Sequence, residues 1–414
     1  MSAPDDHPDR IVTLVLVDAE RTVLGALGPF PVDTPWWMDV APVLDEARRL
    51  HGVSVVVLRL LSAEREMPHG GEVTYLAQVD RASAPSVLAA YEGGLLDDPY
   101  RVAYAEVGGP QADIAWAERV LRAQNNSLVG EPKQHRTWNL SSIWSLPTRS
   151  GDVWLKVGPP FFAHEGAVIA AVADRNERSD GSGTVVPSLL GRENTRLLLA
   201  EIAGSDRYDA GLDERFAMID ALVDLQGQWL DQADELTPLD LPDWRAPALT
   251  EAITQLVGRR CPELDEATGR ELRAFATELP SRFAAIAECG IGDGLVHGDF
   301  HPGNVRGDGT TNTLIDWADS GVGHPLLDQP AFFRTAADNE TRPLAAHWAA
   351  AWRRTIPGCQ PERAAALLAP IAAARQAVIY QGFLDRIEAT EQRYHAHDVP
   401  VWLNRVVEIV RAAP

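Results

Sequence analysis

The sequence has little cysteine and few basic residues, and both shortages exclude classes of protein. Only three cysteines occur in 414 residues, and Cys261, Cys289 and Cys359 are too widely spaced for a CxxC or Cys/His metal motif. A disulfide-stapled domain is therefore excluded, and a reducing, cytoplasmic compartment is expected. Lys and Arg number 37 against 59 Asp and Glu, and the net charge of −22 disfavours nucleic acid and anionic membranes as partners.

Long hydrophobic runs are also missing. The run VSVVVLRLL (53–61) is too short to span a bilayer and is typical of a buried strand. The start, MSAPDDHPDR, is polar and acidic, unlike a signal peptide. No membrane partner is therefore expected. The 45% content of hydrophobic residues can still supply large cores, enough for about two to three domains.

The pattern along the chain predicts an α+β protein with three parts. Residues 11–80 alternate strand, strand, helix, strand, strand, a complete small α/β domain that extends with its connector over 1–110. Residues 111–204 begin with a helix and are then rich in strands. Residues 205–414 are mostly helical, with one β-like interruption at about 294–317.

That interruption holds the residues that carry chemistry. An apolar pair leads into His297, Gly298 and Asp299, and Asn304 follows five residues after Asp299. A predicted hairpin through GDGTTN returns the strand TLID, so that Asp316 ends beside Asn304. Phosphoryl transfer needs such a set: a carboxylate at the attacking hydroxyl, and oxygen ligands for Mg²⁺.

Two other interpretations of this segment remain open. In the first, these residues only form turns, since Asp, Asn, Gly and Pro populate turns in any protein. The Asp-to-Asn spacing and the later Asp are, however, more specific than a turn requires. In the second, His297, Asp299 and His301 would ligate a hydrolytic metal ion. That interpretation leaves Asn304 and Asp316 without roles.

The segments HGDFHPGNV and LIDWADSGVGHPLLD resemble the signature of the aminoglycoside phosphotransferase and choline kinase family. The resemblance covers roughly residues 125–410. It implies that Asp299 is the catalytic base and that Asn304 and Asp316 ligate Mg²⁺ beside a nucleotide. It further implies that His297 holds the catalytic loop by hydrogen bonding and that Asp328 is a structural anchor.

The same resemblance implies a two-lobed, protein-kinase-like fold. Residues 111–204 would be the nucleotide-binding N-lobe and 205–414 the helical C-lobe with the catalytic loop and acceptor site. Lys156 in VWLKV would hold the nucleotide phosphates, fixed by Glu165 on the next helix. The run LLLAEIAG resembles the hinge between lobes, whose backbone would pair with the purine of ATP or GTP at Glu201, Ile202 and Ala203.

The phosphate-covering loop is unusual, because the chain has neither a GxxxxGK[ST] loop nor a GxGxxG hairpin. A P-loop enzyme is excluded. In the first hairpin of the predicted N-lobe, NLSSIWSLPT would cover the phosphates with serines and backbone amides.

The end of the helical half is expected to form the acceptor pocket. Asp385 and Glu388 are three residues apart on a predicted helix face that Glu391 continues, and Tyr380 lies nearby. The resemblance also makes Asp319, three residues after Asp316, a candidate substrate or supporting carboxylate. An acidic, aromatic wall suits a polyhydroxylated or cationic acceptor, although a solvated helix face would show the same pattern.

The first domain faintly resembles the Nudix fold in its order of elements. DEARRLHG (45–52) lies where that family carries its metal-binding helix, but only Glu46 and Gly52 match the motif. The paired glutamates are replaced by Arg49 and Leu50, so this site cannot gather Mg²⁺. The domain is predicted to be a non-catalytic cap or a homodimer interface.

Together these observations predict a kinase that phosphorylates a hydroxyl of a small molecule. The expected acceptor is an antibiotic, aminoglycoside- or nucleoside-like, or a sugar-like metabolite. The alternatives are a kinase of amino sugars or other primary metabolites, and a non-catalytic pseudokinase that sequesters a ligand.

Overall fold

The computed structural model describes residues 9–178, 186–308 and 311–412, and these group into two compact units. Unit 1 holds the described residues of Met1–Ala163, Ser188–Glu201 and Phe383–His397. Unit 2 holds those of His164–Pro187, Ile202–Gly382 and Asp398–Pro414. Most of the acidic start and the middle of the predicted turn GDGTTN lie outside the described residues, and the boundaries predicted at 110 and 204 stay predictions.

The N-terminal part of unit 1 is a four-stranded sheet with one helix, as the alternation of the sequence predicts. Its elements are β1 (Arg10–Val17), β2 (Val23–Val32), α1 (Ala41–His51), β3 (Val55–Ala63) and β4 (Gly71–Val79). The strand order is β2-β1-β4-β3, with β1 and β4 parallel and the other pairs antiparallel. Strand β3 is therefore an edge of this sheet. The likeness of this domain to the Nudix fold stays a prediction.

A second sheet in unit 1 is the predicted β-rich region. Helix α2 (Gly109–Ala123) precedes it, and its strands are β5 (Lys133–Trp138), β6 (Ser141–Thr148), β7 (Gly151–Val157), β8 (Leu189–Glu193) and β9 (Arg196–Ala200). The strands are antiparallel in the order β5-β6-β7-β9-β8. Apolar residues alternate along β6 and β7, and Trp144, Leu146, Val153 and Leu155 pack in one core with α2.

Unit 2 is mostly helical, with five short strands around the predicted chemistry. The helices are α3 (Glu165–Arg178), α4 (Leu212–Gly227), α5 (Ala233–Leu236), α6 (Ala246–Arg260), α7 (Glu266–Ala287), α8 (Gln329–Phe333), α9 (Asp338–Thr355), α10 (Pro361–Leu384, whose last two residues belong to unit 1) and α11 (Asp398–Ala412). The strands are β10 (Ser205–Asp206), β11 (Gly294–Val296), β12 (Val305–Gly307), β13 (Asn312–Leu314) and β14 (Gly321–Gly323).

The helix predicted through Asp385, Glu388 and Glu391 is wrong, because α10 ends at Leu384. Residues 389–394 form a 3₁₀ helix instead, and the whole segment Phe383–His397 belongs to unit 1. We call Phe383–His397 the crossing segment, since the chain leaves unit 2 before it and returns to unit 2 after it.

Helix α10 is the one described helix that is long and apolar enough to span a membrane. Of this apolar stretch, 61% is buried inside the protein, as in the core helix of a soluble protein. It also contains the buried Arg375. The helix is therefore weak grounds for a membrane span.

Candidate functional site

The HGD segment and the following hairpin bring the predicted oxygen donors together within unit 2. The chain leaves β11 at Val296, turns through Pro302–Asn304, and forms the hairpin β12–β13 with Val305 opposite Leu314. The Ile315 amide donates to the Asn304 carbonyl oxygen at 2.8 Å. Asp316 therefore directly follows a residue that is hydrogen-bonded to Asn304, as the spacing predicts.

Asp299 is fixed by its own loop. The Asn304 Nδ2 donates to the Asp299 carbonyl oxygen at 2.8 Å and to its Oδ2 at 3.2 Å. His301 Nε2 lies 3.4 Å from the same Oδ2, and an Arg334 guanidinium nitrogen lies 3.7 Å from Oδ1. One third of the Asp299 side chain (33%) stays exposed, so a hydroxyl can reach it.

The surroundings of Asp299 keep it ionised. Burial raises the pKa of this carboxyl, but the hydrogen bond and charge of His301, with the charges of Arg334 and His297, lower the pKa to about 2. A carboxylate with so low a pKa is a weak base at neutral pH. It suits the orientation of a hydroxyl better than complete removal of its proton before transfer.

His297 holds the loop through both of its ring nitrogens. Its Nδ1 accepts from the Asp299 amide at 3.4 Å, and its Nε2 lies 3.1 Å from the Ile315 carbonyl oxygen. The ring thereby joins the residue before Asp316 to the catalytic loop. The interpretation of His297, Asp299 and His301 as ligands of a hydrolytic metal is wrong, since no group of three His, Cys, Asp or Glu among the described residues could hold a metal ion.

The buried His297 ring predicts a loss of stability in mild acid. Burial lowers its pKa from 6.5 to about 4. His297 therefore becomes protonated near pH 6.5 in the unfolded chain but only near pH 4 in the folded chain. We expect this group to lower the free energy of unfolding by about 2 kcal/mol between pH 7 and pH 5.

Urea unfolding of the wild type and of His297→Gln at the two pH values measures this contribution. The variant should show a pH dependence smaller by about 2 kcal/mol, whatever its stability at pH 7. The same substitution at the exposed His51 is the control. Equal pH dependences in the wild type and His297→Gln would contradict the assignment.

Asp328 anchors the start of the catalytic loop, the role that the resemblance implies. Its Oδ2 accepts from the His297 amide at 2.9 Å, and its Oδ1 accepts from the Gly298 amide at 2.7 Å. Gln226 donates to the same Oδ2 at 2.8 Å. The buried Arg375 donates to the Gly298 carbonyl oxygen at 3.0 Å. An arginine in the middle of an apolar helix was the sequence signal for this contact, and it was not used in the prediction.

Gly298 has a backbone conformation that only glycine tolerates here. Its φ is +93°, and a Cβ would lie 2.0 Å from the Asp319 carbonyl oxygen. We expect Gly298→Ala to destabilise the protein by about 3 kcal/mol, measured by urea unfolding. Gly211→Ala is the matched control, because its Cβ meets nothing within 4 Å. Equal unfolding energies for the two variants would show that the loop relaxes freely.

Asp316 combines backbone strain with exposure. Its φ is +63°, in the left-handed region that non-glycine residues rarely adopt, and such strain clusters at functional sites. The amide nitrogen of Asn304 faces Asp299, so its Oδ1 is the amide atom turned away from that carboxylate. A carboxylate and an amide oxygen are hard donors that fit Mg²⁺. We propose Asn304 and Asp316 as its ligands.

The predicted acceptor residues separate into two sets. In unit 2, burial and the charges of Asp398, Asp299 and Asp319 raise the pKa of Tyr380, with an opposing effect of Arg334, so these charges act on the phenol. Asp385 and Glu388 lie in unit 1 instead.

Glu388 is engaged within unit 1 and does not form an exposed acidic wall. It is buried, and its carboxylate lies 2.7 Å from Arg101 Nε and 3.6 Å from Arg59 Nε. Glu391 is also buried and accepts from the Leu60 amide at 2.7 Å. The sequence could not show this, because the arginines come from the N-terminal domain and its connector about 290 to 330 residues earlier.

The predicted nucleotide residues lie on the expected elements. Lys156 is on β7, opposite Ile143 and Leu197, and Glu165 is the buried first residue of α3. Lys156 belongs to unit 1 and Glu165 to unit 2, so their pairing stays a prediction. The chain passes from unit 1 to unit 2 between Glu201 and Ile202, within the predicted hinge of Glu201, Ile202 and Ala203.

Two serines of the first hairpin are hydrogen-bonded to neighbouring tryptophans. Ser141 Oγ accepts from Trp138 Nε1 at 3.1 Å, and Ser142 Oγ accepts from Trp144 Nε1 at 2.9 Å. Both serines are buried. Phosphate contacts by these serines and by the backbone amides of the hairpin stay a prediction.

Comparisons with known proteins bear on the family and the fold of the chain. Residues 162–367 match the phosphotransferase enzyme family. A macrolide 2'-phosphotransferase type I is 14% identical, with a TM-score of 0.51 over 71% of this chain and 97% of that one. Plasmodium vivax ethanolamine kinase is 12% identical, with a TM-score of 0.50 over 73% of this chain and 88% of that one. No curated protein matches the chain significantly in sequence.

At these identities the structural likeness establishes the fold, and the family match covers the stretch that contains Asp299, Asn304 and Asp316. The α+β fold with a β-rich N-terminal region and a helical C-terminal part is confirmed as protein-kinase-like. Residues 162–367 belong to the phosphotransferase enzyme family, and the chain is a small-molecule phosphotransferase of the aminoglycoside phosphotransferase and choline kinase type.

Proposed function

We propose that the protein transfers the γ-phosphoryl group of a purine nucleotide, ATP or GTP, to a hydroxyl of an antibiotic or a sugar-like metabolite. The observation that carries the proposal is the bonding of Asp299, Asn304 and Ile315, which holds a hydroxyl-orienting carboxylate beside two Mg²⁺ ligands. This is the arrangement that a loose phosphoryl-transfer transition state needs, since positioning and charge neutralisation supply most of its catalysis.

The side chains would divide the reaction among them. Asp299 accepts a hydrogen bond from the acceptor hydroxyl and aligns its oxygen with the γ-phosphorus. The new P–O bond forms as the bond to the bridging oxygen of the nucleotide breaks, and the hydroxyl proton leaves through Asp299 to solvent. Asn304 and Asp316 would hold Mg²⁺, which neutralises the charge of the phosphates when bound. His297 and Asp328 keep the loop in place.

The charges around Tyr380 support an acceptor with cationic groups. Asp319 and Asp398 act on this tyrosine beside Asp299, and the chain as a whole carries a net charge of −22. An acidic surrounding concentrates cations and orients ammonium groups. An amino sugar or an aminoglycoside-like antibiotic meets this requirement, and so does a smaller amino alcohol.

A screen of acceptors tests the function. The protein is incubated with Mg²⁺ and either ATP or GTP, with aminoglycosides, nucleosides, amino sugars and neutral sugars as acceptors. The expected result is the mass gain of one phosphate group on a hydroxylated cation, dependent on Mg²⁺. Nucleotide binding without any phosphorylated product would favour the alternative of a pseudokinase, and absence of nucleotide binding would refute the proposal.

A further inference from the structure

In the proposed kinase, the turn between β5 and β6 would cover the nucleotide phosphates, as the glycine-rich loop does in protein kinases. Its Asn139 is almost fully buried, with 4% of its surface exposed. The nitrogen and the oxygen of its side-chain amide both form hydrogen bonds with the crossing segment. Nδ2 donates to the Glu391 carbonyl oxygen at 3.2 Å, and Oδ1 accepts from His395 Nε2 at 3.0 Å. A glycine-rich loop has no such side-chain ties.

Aromatic packing reinforces these two hydrogen bonds. The ring of Trp138, the last residue of β5, lies 5.5 Å from the rings of Tyr394 and His395. His395 in turn lies 5.3 Å from Phe383, the first residue of the crossing segment. The hairpin tip is therefore held by buried polar and aromatic contacts together, which restricts its motion.

The crossing segment is itself bonded to the N-terminal sheet. Glu391 Oε1 accepts from the amide of Leu60 at 2.7 Å, on the edge strand β3. One residue thus binds the sheet edge with its carboxylate and the hairpin turn with its carbonyl oxygen. The buried ion pairs of Glu388 with Arg59 and Arg101 hold the segment against the same edge.

Strand β5 has a second attachment to that edge. The Gln134 amide accepts from the Val57 N–H at 3.0 Å and donates to the Val57 carbonyl oxygen at 2.8 Å. Side chains of β5 and of the crossing segment thereby form hydrogen bonds with backbone groups of the edge strand β3. Without them these groups could pair with another chain. The N-terminal domain forms one packed body with both ends of β5.

We propose that Asn139, Glu391 and His395 are positioning residues, which hold the β5–β6 turn in the conformation that binds nucleotide phosphates. The N-terminal domain is the scaffold for this arrangement, and the inference rests on the proposed kinase function. A turn that is already ordered loses little conformational entropy when nucleotide binds, so it needs no glycine and no phosphate-binding serine. Loosening the turn should weaken nucleotide binding and leave acceptor binding unchanged.

Variants of His395 and Asn139 in the full-length protein test the inference. His395→Phe keeps an aromatic ring against Trp138 and removes the donor to Asn139, and Asn139→Leu removes both hydrogen bonds at similar size. We expect the Kd and KM for Mg·nucleotide to rise about tenfold in each, with the KM for the acceptor within twofold. His395→Gln restores an Nε donor and should recover most of the affinity.

Gln392→Leu is the matched control, because Gln392 lies on the crossing segment but donates to the Leu384 carbonyl oxygen and not to the turn. Amide hydrogen exchange of residues 138–142 should accelerate in His395→Phe and Asn139→Leu and stay unchanged in Gln392→Leu.

Two results would overturn the inference: unchanged exchange at the turn, or unchanged nucleotide affinity in variants that remain folded. Failure of the proposed function gives a different result, in which the wild type itself binds no Mg·nucleotide or produces no phosphorylated acceptor.

Discussion

Asp299→Asn is expected to lower kcat for phosphoryl transfer about 1,000-fold while the KM for nucleotide stays within twofold. The amide keeps the size of the side chain and its contact with Asn304, but it loses the charge that orients the acceptor hydroxyl. Because the pKa of Asp299 is lowered to about 2, the wild-type rate should show no loss from protonation of this group above about pH 4. Steady-state kinetics between pH 4 and pH 8 measure both effects.

The control for this variant is Asp209→Asn, which makes the same chemical change at an exposed position. Both variants should have unfolding temperatures close to that of the wild type. A folded Asp299→Asn protein that keeps more than a tenth of wild-type turnover would remove Asp299 from the catalytic step and leave Asn304 and Asp316 as a nucleotide-binding pair only.

Asp316→Asn is expected to lower turnover about 100-fold at saturating nucleotide and to raise the Mg²⁺ concentration needed for half-maximal rate about tenfold. Asparagine tolerates the left-handed backbone that Asp316 adopts at φ +63°, so the substitution tests the charge and not the turn. Titration with Mg²⁺ at fixed nucleotide measures the shift.

Asp308→Asn, at the turn of the same β12–β13 hairpin, controls for a general effect of removing a charge from this part of the chain. If Asp316→Asn and Asp308→Asn had the same Mg²⁺ dependence as the wild type, Asp316 would be a structural residue with a strained backbone and the metal would bind elsewhere.

The catalytic segment was predictable because its geometry is local. Asp299, Asn304 and Asp316 lie within 18 residues, and one tight turn and one short hairpin bring them together. The hydrogen bonds that fix them, from Asn304 to Asp299 and from Ile315 to Asn304, span no more than 11 residues. Alternating apolar residues likewise predicted β1–β4, β6 and β7, since burial of one strand face depends on sequence period alone.

The contacts of the crossing segment were beyond the reach of the sequence. Its acidic residues follow an apolar helix and continue a helical spacing, so they were interpreted as an acceptor wall. Only the fold brings Arg59 and Arg101 to Glu388, and the Leu60 amide to Glu391, across about 290 to 330 residues. A carboxylate is exposed or buried according to whether such a partner compensates its desolvation, and local spacing carries no information about a distant partner.

The sequence alone therefore determined the chemistry of this protein: a phosphotransferase loop, its oxygen donors and the order of elements that supports them. Tertiary structure decided what surrounds that chemistry. It placed Arg375 under the Gly298 carbonyl, His301 and Arg334 beside Asp299, and the N-terminal sheet against the segment that holds Asn139. The physical reason is separation along the sequence. Turns and strands form from residues that are neighbours in sequence, whereas buried charges and hydrogen-bonded loops depend on distant partners that only folding brings close.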